Sequence, residues 1–323
     1  WMIAPDTGVW STSLVISPSS GTVQHIYYTD TDWLQHEQVF TTGSGNIEFI
    51  GIRHPHTFFY VRYYQASYTL NALSYTSTWV DHLDYGLYGL GSIKASPIGD
   101  TICIASWPRF PGSVRIVRAT PNSTTVLDSL PTGEYPTAIE FIDTELGAML
   151  TRTADHLDRV RISQNGGESW AEVLLDSTRI FRAIQWAAPS TLWMVGDSGL
   201  VIHTNDLGQT WISTPLPTPV DLRTVTTCSA DSVWVGGANG KIYSTGNAGV
   251  QWEDRSLDDH LITHLQAFDN VIYAYATYVD PLGYPRRELY KLATAVAVPT
   301  LDGPSAWWAY TNVGIQLDLG GEE

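Results

Sequence analysis

Ser163-Gln164-Asn165-Gly166-Gly167-Glu168-Ser169-Trp170 is followed by Thr204-Asn205-Asp206-Leu207-Gly208-Gln209-Thr210-Trp211 and then by Thr245-Gly246-Asn247-Ala248-Gly249-Val250-Gln251-Trp252. The three octets obey one template: a hydroxyl residue, any residue, Asp or Asn, any residue, Gly, two more, then Trp. The tryptophans stand 41 residues apart both times. A fixed step of this size marks a propeller or a solenoid, because one such unit is too small to bury a core alone and must stack on its neighbours.

The clearest copy of the unit, Phe181 to Leu216, divides into four strands: Arg182 to Ala187, Thr191 to Val195, Leu200 to His203 and Trp211 to Thr214. Gly-containing turns flank the alternating segments, which is the signal of an antiparallel meander. A shift of 41 places Trp193 on Trp234, Gly196 on Gly237, Gly199 on Gly240 and Ile202 on Tyr243. Towards the N-terminus the copies degrade, and Trp33, Trp79 and Val126 stand where Trp170 stands without the full template. After Trp252 comes a longer unit, Leu261 to Tyr310, whose middle strands Val271 to Thr277 and Glu288 to Leu292 flank the loop Asp280 to Arg287. Trp307 or Trp308 closes it. Blades ending near Trp33, Trp79, Val126, Trp170, Trp211, Trp252 and Trp307 predict an all-β chain: one domain over residues 1–323, a seven-bladed β-propeller of four-stranded antiparallel blades. Radial closure removes the exposed edges that repeated meanders would otherwise carry. The first blade lacks an obvious first strand, which either Trp1 to Ala4 or Gly314 to Leu319 would supply.

Composition agrees with this reading. Trp and Tyr number 13 and 17, charged residues make up only 15%, and no apolar run approaches the ~20 residues of a membrane helix. The net charge is -16, with Lys94, Lys241 and Lys291 the only lysines, so a nucleic-acid partner is not expected, and neither is membrane insertion. Cys103 and Cys228 lie in different repeats and read as packed thiols. The chain begins Trp1-Met2 without a signal-peptide pattern, which reads as a processed product, an excised domain or an incompletely defined chain. Together with the low lysine content this leans towards an extracytoplasmic or virion setting. Asn122-Ser123-Thr124 matches a glycosylation acceptor, a pattern too short to decide anything.

The three turns resemble the Asp-box, or bacterial neuraminidase repeat, of sialidase-like β-propellers. The longer pattern from Gly196 to Trp211, a Gly-x-x-Gly hairpin, a strand, an Asp-box and a Trp, resembles the photosystem II assembly-factor type of propeller. That resemblance implies a non-enzymatic protein that holds partner polypeptides on one face. In physical terms the motif is structural: Asn165, Asp206 and Asn247 accept hydrogen bonds from N–H groups of their own turns. Gly167, Gly208 and Gly249 supply positive φ, and Trp170, Trp211 and Trp252 pack between blades.

A binding site is expected at the other end of the blades, where the first strands begin. The 41-residue step puts Arg182, Arg223 and His264 at equivalent places there, with Thr137 and Ser92 the counterparts in two earlier blades. In an acidic chain these three mark a candidate anion site, Arg offering bidentate contacts to a carboxylate; the alternative is that each Arg pairs with a carboxylate such as Asp221 or Glu140 and holds blades together. Tyr284 and Arg286, in the loop Asp280 to Arg287, are further candidates for protein or glycan recognition; Trp107 to Phe110 and Asp155 to Asp158 are loops of the same kind. Neither Asp258, Asp259, His260 and His264 nor Asp155, His156 and Asp158 has a spacing that puts ligands on one face of a strand, and His54-Pro55-His56 reads as a turn; no metal and no cofactor are expected. A sialidase-like hydrolase of anionic sugars is the enzymatic alternative. It would need three convergent arginines and a Tyr/Glu pair, and no clear pair is visible, although Glu140 lies on a first strand. The favoured reading is a non-catalytic scaffold for a protein or polysaccharide partner, as an assembly factor or a structural or attachment component of a larger multi-subunit particle.

Overall fold

The computed structural model describes residues 123–176, 179–257, 260–268, 271–279 and 285–293, together with the strands before residue 123 named below. Trp33, His54 to His56, Asn122, Asp258, Asp259, Tyr284, Trp307, Trp308 and the segment Gly314 to Leu319 lie outside them.

Two compact units divide the chain, Trp1–Thr178 and Arg179–Glu323. The first holds four antiparallel sheets among its described residues. They are β1 (Met2–Ile3), β2 (Ser11–Ile16) and β3 (Val23–Tyr28); β4 (Leu34–Thr41), β5 (Ile47–Arg53), β6 (Tyr60–Thr69) and β7 (Ala72–Trp79); β8 (Leu90–Ile98), β9 (Thr101–Pro108), β10 (Ser113–Thr120) and β11 (Ser123–Thr132); and β12 (Glu134–Phe141), β13 (Gly147–Thr153), β14 (Asp158–Ser163) and β15 (Ala171–Asp176). The second unit holds β16 (Phe181–Ala188), β17 (Thr191–Gly196), β18 (Val201–Thr204) and β19 (Ile212–Ser213); β20 (Leu222–Thr227), β21 (Val233–Gly237), β22 (Ile242–Thr245) and β23 (Glu253–Asp254); and β24 (Leu261–Phe268), β25 (Val271–Val279) and β26 (Pro285–Ala293). Each sheet is a meander whose strands pair in chain order, as the hairpin signals predict. Met2 and Ile3 pair with β2, so the N-terminal option for the missing first strand is the one realised among the described residues. Val126 lies near the start of β11 and Trp170 just before β15, whereas Trp79 is the last residue of β7. The Trp marker therefore loses its place in the early copies.

Sheets stack face to face within each unit. In the second, Trp193, Val195 and Val201 of one sheet interlock with Val220, Leu222, Val225 and Val235 of the next, and Trp252 packs edge-on to Trp193 at 6.4 Å. Trp234 and Ile242 pack in turn on Ile262, Leu265, Ile272 and Ala274. The first unit repeats this with Ile98, Cys103, Val114 and Ile116 against Ile139, Phe141 and Met149; Trp170 sits edge-on to Phe141 at 5.8 Å. First strands are also stitched together by hydroxyls. Thr224 and Thr226 accept from the N–H groups of Leu265 and Ala267, at 2.9 and 3.0 Å, and Ser96 accepts from Phe141 at 2.8 Å. A β-hydroxyl reaches a neighbouring backbone that a longer side chain would push away, which gives the Thr-rich first strands their use.

Both cysteines are free thiols. Burial pushes that of Cys103 up to about 12.

The three repeated turns share one hydrogen-bond pattern. The first hydroxyl, from Ser163, Thr204 or Thr245, accepts the N–H of Gly167, Gly208 or Gly249 at 2.8, 2.8 and 3.0 Å and donates to the Asn or Asp two residues on. That side chain accepts the N–H of Ser169, Thr210 or Gln251 at 3.0, 2.9 and 2.9 Å. The glycines have φ of 89°, 82° and 81°, as expected. Unforeseen is that the preceding residue is left-handed too, including Leu207 at 57° and Ala248 at 55°. Two consecutive left-handed residues are costly unless over-determined by their surroundings, and the bonds to the hydroxyl and to the Asn or Asp side-chain oxygen on either side supply that determination.

Asp206 also accepts from the Thr210 hydroxyl, and these bonds hold its carboxyl at about 2. An ordinary Asp titrates near 3.9. Below that value the unfolded chain binds the proton first, so the stabilising contribution is complete above about pH 4 and is lost as pH falls towards about 2. Asp206→Asn is expected to flatten the fall of melting temperature across that window. Parallel acid titrations of the two proteins measure it, and identical slopes would contradict the pattern.

Candidate functional site

The Asp-boxes and the candidate site lie at opposite ends of the same sheets. Leu207 and Ala248 donate to the carbonyls of Ser190 and Asp231 in the turns that join first to second strands. The other end carries the start of the first strand and the turn between second and third strands. In that turn Gly196 and Gly237 open tight left-handed bends at Ser198 (φ 58°) and Asn239 (φ 55°).

Every full first strand opens with a bulge. The pairing ladder skips Glu37, Gly91 and Thr137 in the first unit, and Arg182, Arg223 and Thr263 in the second. A bulge leaves one residue unpaired and re-aims its side chain. This corrects two register assignments. The place of Arg182 and Arg223 is taken in β24 by Thr263, with His264 one residue beyond it, and in β8 by Gly91, with Ser92 one residue beyond. The cause is a connection one residue shorter. From Trp211 to Leu222 is 11 residues and from Trp252 to Ile262 is 10, so the 41-residue step becomes 40.

Side chains at the bulges fall into three kinds. Thr137 and Thr263 bend back and donate to the carbonyls of Leu150 and Tyr275, at 3.1 and 3.3 Å, closing the bulge on itself. Arg182 reaches the turn of its own blade and grips Asp197 with both ends of its fork, Nε to Oδ1 at 2.8 Å and Nη2 to Oδ2 at 2.7 Å. Arg223 is exposed and, among the described residues, has no ion-pair partner. The residue at 238, equivalent to Asp197, is Ala. Asp221, the other carboxylate at hand, accepts the N–H of Ser198 at 2.9 Å. Of the two arginines, then, one holds its blade together and the other faces solvent. The sequence carried the signal for this in the difference between Asp197 and Ala238.

Strand β20 lies between β16 and β24. On β24, His264 is exposed, its Nδ1 3.1 Å from the Thr263 hydroxyl and its ring 6.3 Å from that of Tyr275. His260, just before the strand, has its Nε2 3.0 Å from the Tyr290 hydroxyl and its ring 4.6 Å from that of Tyr278. Arg286 stands in β26 opposite Tyr278 in the ladder. The structure therefore brings Arg223 and His264 to one end of adjoining strands.

In the first unit the corresponding end of the β12–β15 sheet is occupied by a buried charge network. Glu134 accepts from Arg161 at 2.7 and 3.1 Å and from Thr151 at 3.0 Å, and Arg159 approaches it at 3.4 Å. Arg159 in turn donates to Glu172 at 2.7 Å. Asp158, from the loop Asp155 to Asp158, is fully buried and held by Arg152. Among the described residues no three His, Cys, Asp or Glu side chains converge as a metal site would require.

The family model of the photosynthesis system II assembly factor YCF48 matches residues 120–263, a little under half of the chain. No curated protein sequence matches. Among solved structures, YCF48 from Cyanidioschyzon merolae aligns with 87% of this chain and 88% of its own at 11% identity and a TM-score of 0.54. Trypanosoma rangeli sialidase aligns with 89% of this chain at 11% identity and a TM-score of 0.52, and the alignment spans 60% of the sialidase. The WD40 β-propeller domain of Doa1 aligns over 86% and 88% of the two chains, at 11% identity and a TM-score of 0.53. At such identities the likeness is one of fold, that of the β-propellers. The segment that the family model matches contains all three repeated turns, which are of the neuraminidase-repeat type.

Proposed function

We propose that the chain is a single, non-catalytic, seven-bladed propeller that binds a protein partner at the end of its blades where the first strands begin, as an assembly factor or as a component of a larger assembly such as a virion or a cell-surface particle. The observation that carries this reading is Arg223: an exposed guanidinium with no ion-pair partner among the described residues, in a chain of net charge -16, at the end of the sheet away from the Asp-boxes. Its twin Arg182 shows that a fold-stabilising Arg at this place takes an ion pair. The match to an assembly-factor family adds support.

Two measurements test this. Aryl-sialosides should not be turned over, and a rate above background that disappears in Glu140→Gln with the melting temperature unchanged would establish the enzyme instead. Protein co-purified from the native source should be lost with Arg223→Glu and kept with Val250→Glu, a change at the 80%-exposed tip of an Asp-box. Arg182→Glu is a poor probe, because it would set a second carboxylate beside Asp197.

A further inference from the structure

We infer that the start of β20 is a carboxylate-binding site, built to accept from a polypeptide partner the group that the neighbouring blade supplies from its own chain. The inference rests on the reading above and names the chemistry of that site. Two successive blades of the chain share one backbone at this end and differ in their carboxylates.

In the β16–β19 blade two Asp side chains complete this end. Asp197 fills the fork of Arg182, and Asp221, entering from the next first strand, accepts the N–H of Ser198. The β20–β23 blade has the same backbone: Gly240 N–H donates to the carbonyl of His260 as Gly199 N–H does to that of Val220, and Asn239 is left-handed as Ser198 is. Both carboxylates are gone. Ala238 stands for Asp197, and Leu261, 38% exposed, stands for Asp221. Arg223 thus keeps its fork and Asn239 its outward N–H, and neither has an acceptor among the described residues. A planar fork pre-set by a β-bulge and a backbone donor on a rigid turn suit a carboxylate, which Arg engages through two parallel hydrogen bonds. The occupants of the twin blade are aspartates of a polypeptide, so a peptide carboxylate is the ligand with a precedent in the molecule itself. Exposure of Leu261 beside the donors gives an apolar neighbour that the twin blade lacks.

The probes are three capped tripeptides, Ac-Gly-Asp-Gly-NH2, its Asn counterpart, and Ac-Gly-Gly-Gly with a free C-terminus, together with N-acetylneuraminic acid. Binding is followed by NMR at the Asn239 amide and the Arg223 Nε. Saturable shifts are expected with the two carboxylate peptides and not with the Asn peptide, and the stronger of the two tells side chain from C-terminus. Ala238→Asp restores the twin blade's carboxylate in cis. It should weaken peptide binding at least about tenfold while leaving the fold unchanged, as should Arg223→Gln, whereas Arg182→Gln should not. Absence of saturable shifts up to about 0.1 M peptide, or full binding by Ala238→Asp, overturns the inference. So does selective binding of the sugar acid. Partner binding that needs Arg223 but survives Ala238→Asp would sink the carboxylate site and leave the proposed function standing.

Discussion

Gly196→Ala is expected to destabilise the protein by about 3 kcal/mol, the upper part of the range for overpacking. The reason is space and not dihedral freedom. Gly196 has φ −164°, extended backbone open to any residue, but a Cβ there would lie 1.9 Å from the carbonyl oxygen of Ile180. That oxygen cannot retreat, because it accepts the N–H of Asp197 at 3.0 Å and belongs to the residue that leads into β16. Gly237 repeats the arrangement 41 residues later, with the added Cβ 2.0 Å from the carbonyl oxygen of Asp221, and Gly237→Ala should behave alike. Gly246, whose added Cβ would meet nothing within 4 Å, is the control and should change stability by less than about 0.5 kcal/mol. Urea midpoints at constant slope measure all three, and a Gly196→Ala protein as stable as the Gly246→Ala one would contradict the close approach.

Arg161→Leu should cost about 3 kcal/mol, the lower end of the range for breaking a buried pair, because it removes both guanidinium hydrogen bonds of buried Glu134 and leaves it, among cations, only the longer approach of Arg159 at 3.4 Å. Glu134 and Arg161 are 3% and 5% exposed, and their two bonds are joined by Thr151, which donates to Glu134 and accepts from Arg161. Glu134→Leu should cost a similar amount. The double variant should cost far less than the sum, since replacing both charges with apolar groups removes the desolvation penalty together with the attraction. Costs that simply add in a double-mutant cycle would show that the two residues do not act as a pair.

Much of the fold could be read from three octets because an Asp-box is a local structure. Its donors and acceptors lie within seven residues, so template and geometry coincide, and the step between copies carried strand order and turn positions into the neighbouring blades. Legibility failed where a contact depends on registers that vary. A 41-residue step puts His264 at the bulge, and one residue fewer in the preceding loop puts Thr263 there instead. The Arg182–Asp197 pair was within reach, since pairing of Phe181 with Gly196 sets the first residue of β16 beside the turn, yet Asp197 reads at first as a turn residue and not as a partner. The Glu134–Arg161 network could not be foreseen. Its members come from four strands, and a bulge at Thr137 decides which side of β12 faces Arg161. In the early copies the Trp marker drifts from the head of the outer strand to its end at Trp79, so spacing alone misplaces the strands there.

Two arginines at one place in two blades have different surroundings: Arg182 closes on Asp197, and Arg223 meets Ala238 and faces solvent. The most direct test is retention of the co-purifying protein by the wild type, Arg223→Glu and Val250→Glu, each checked for an unchanged melting temperature. Retention lost only in Arg223→Glu is the predicted result. Equal retention by all three, or loss confined to Val250→Glu, would put the partner elsewhere and contradict the proposed function.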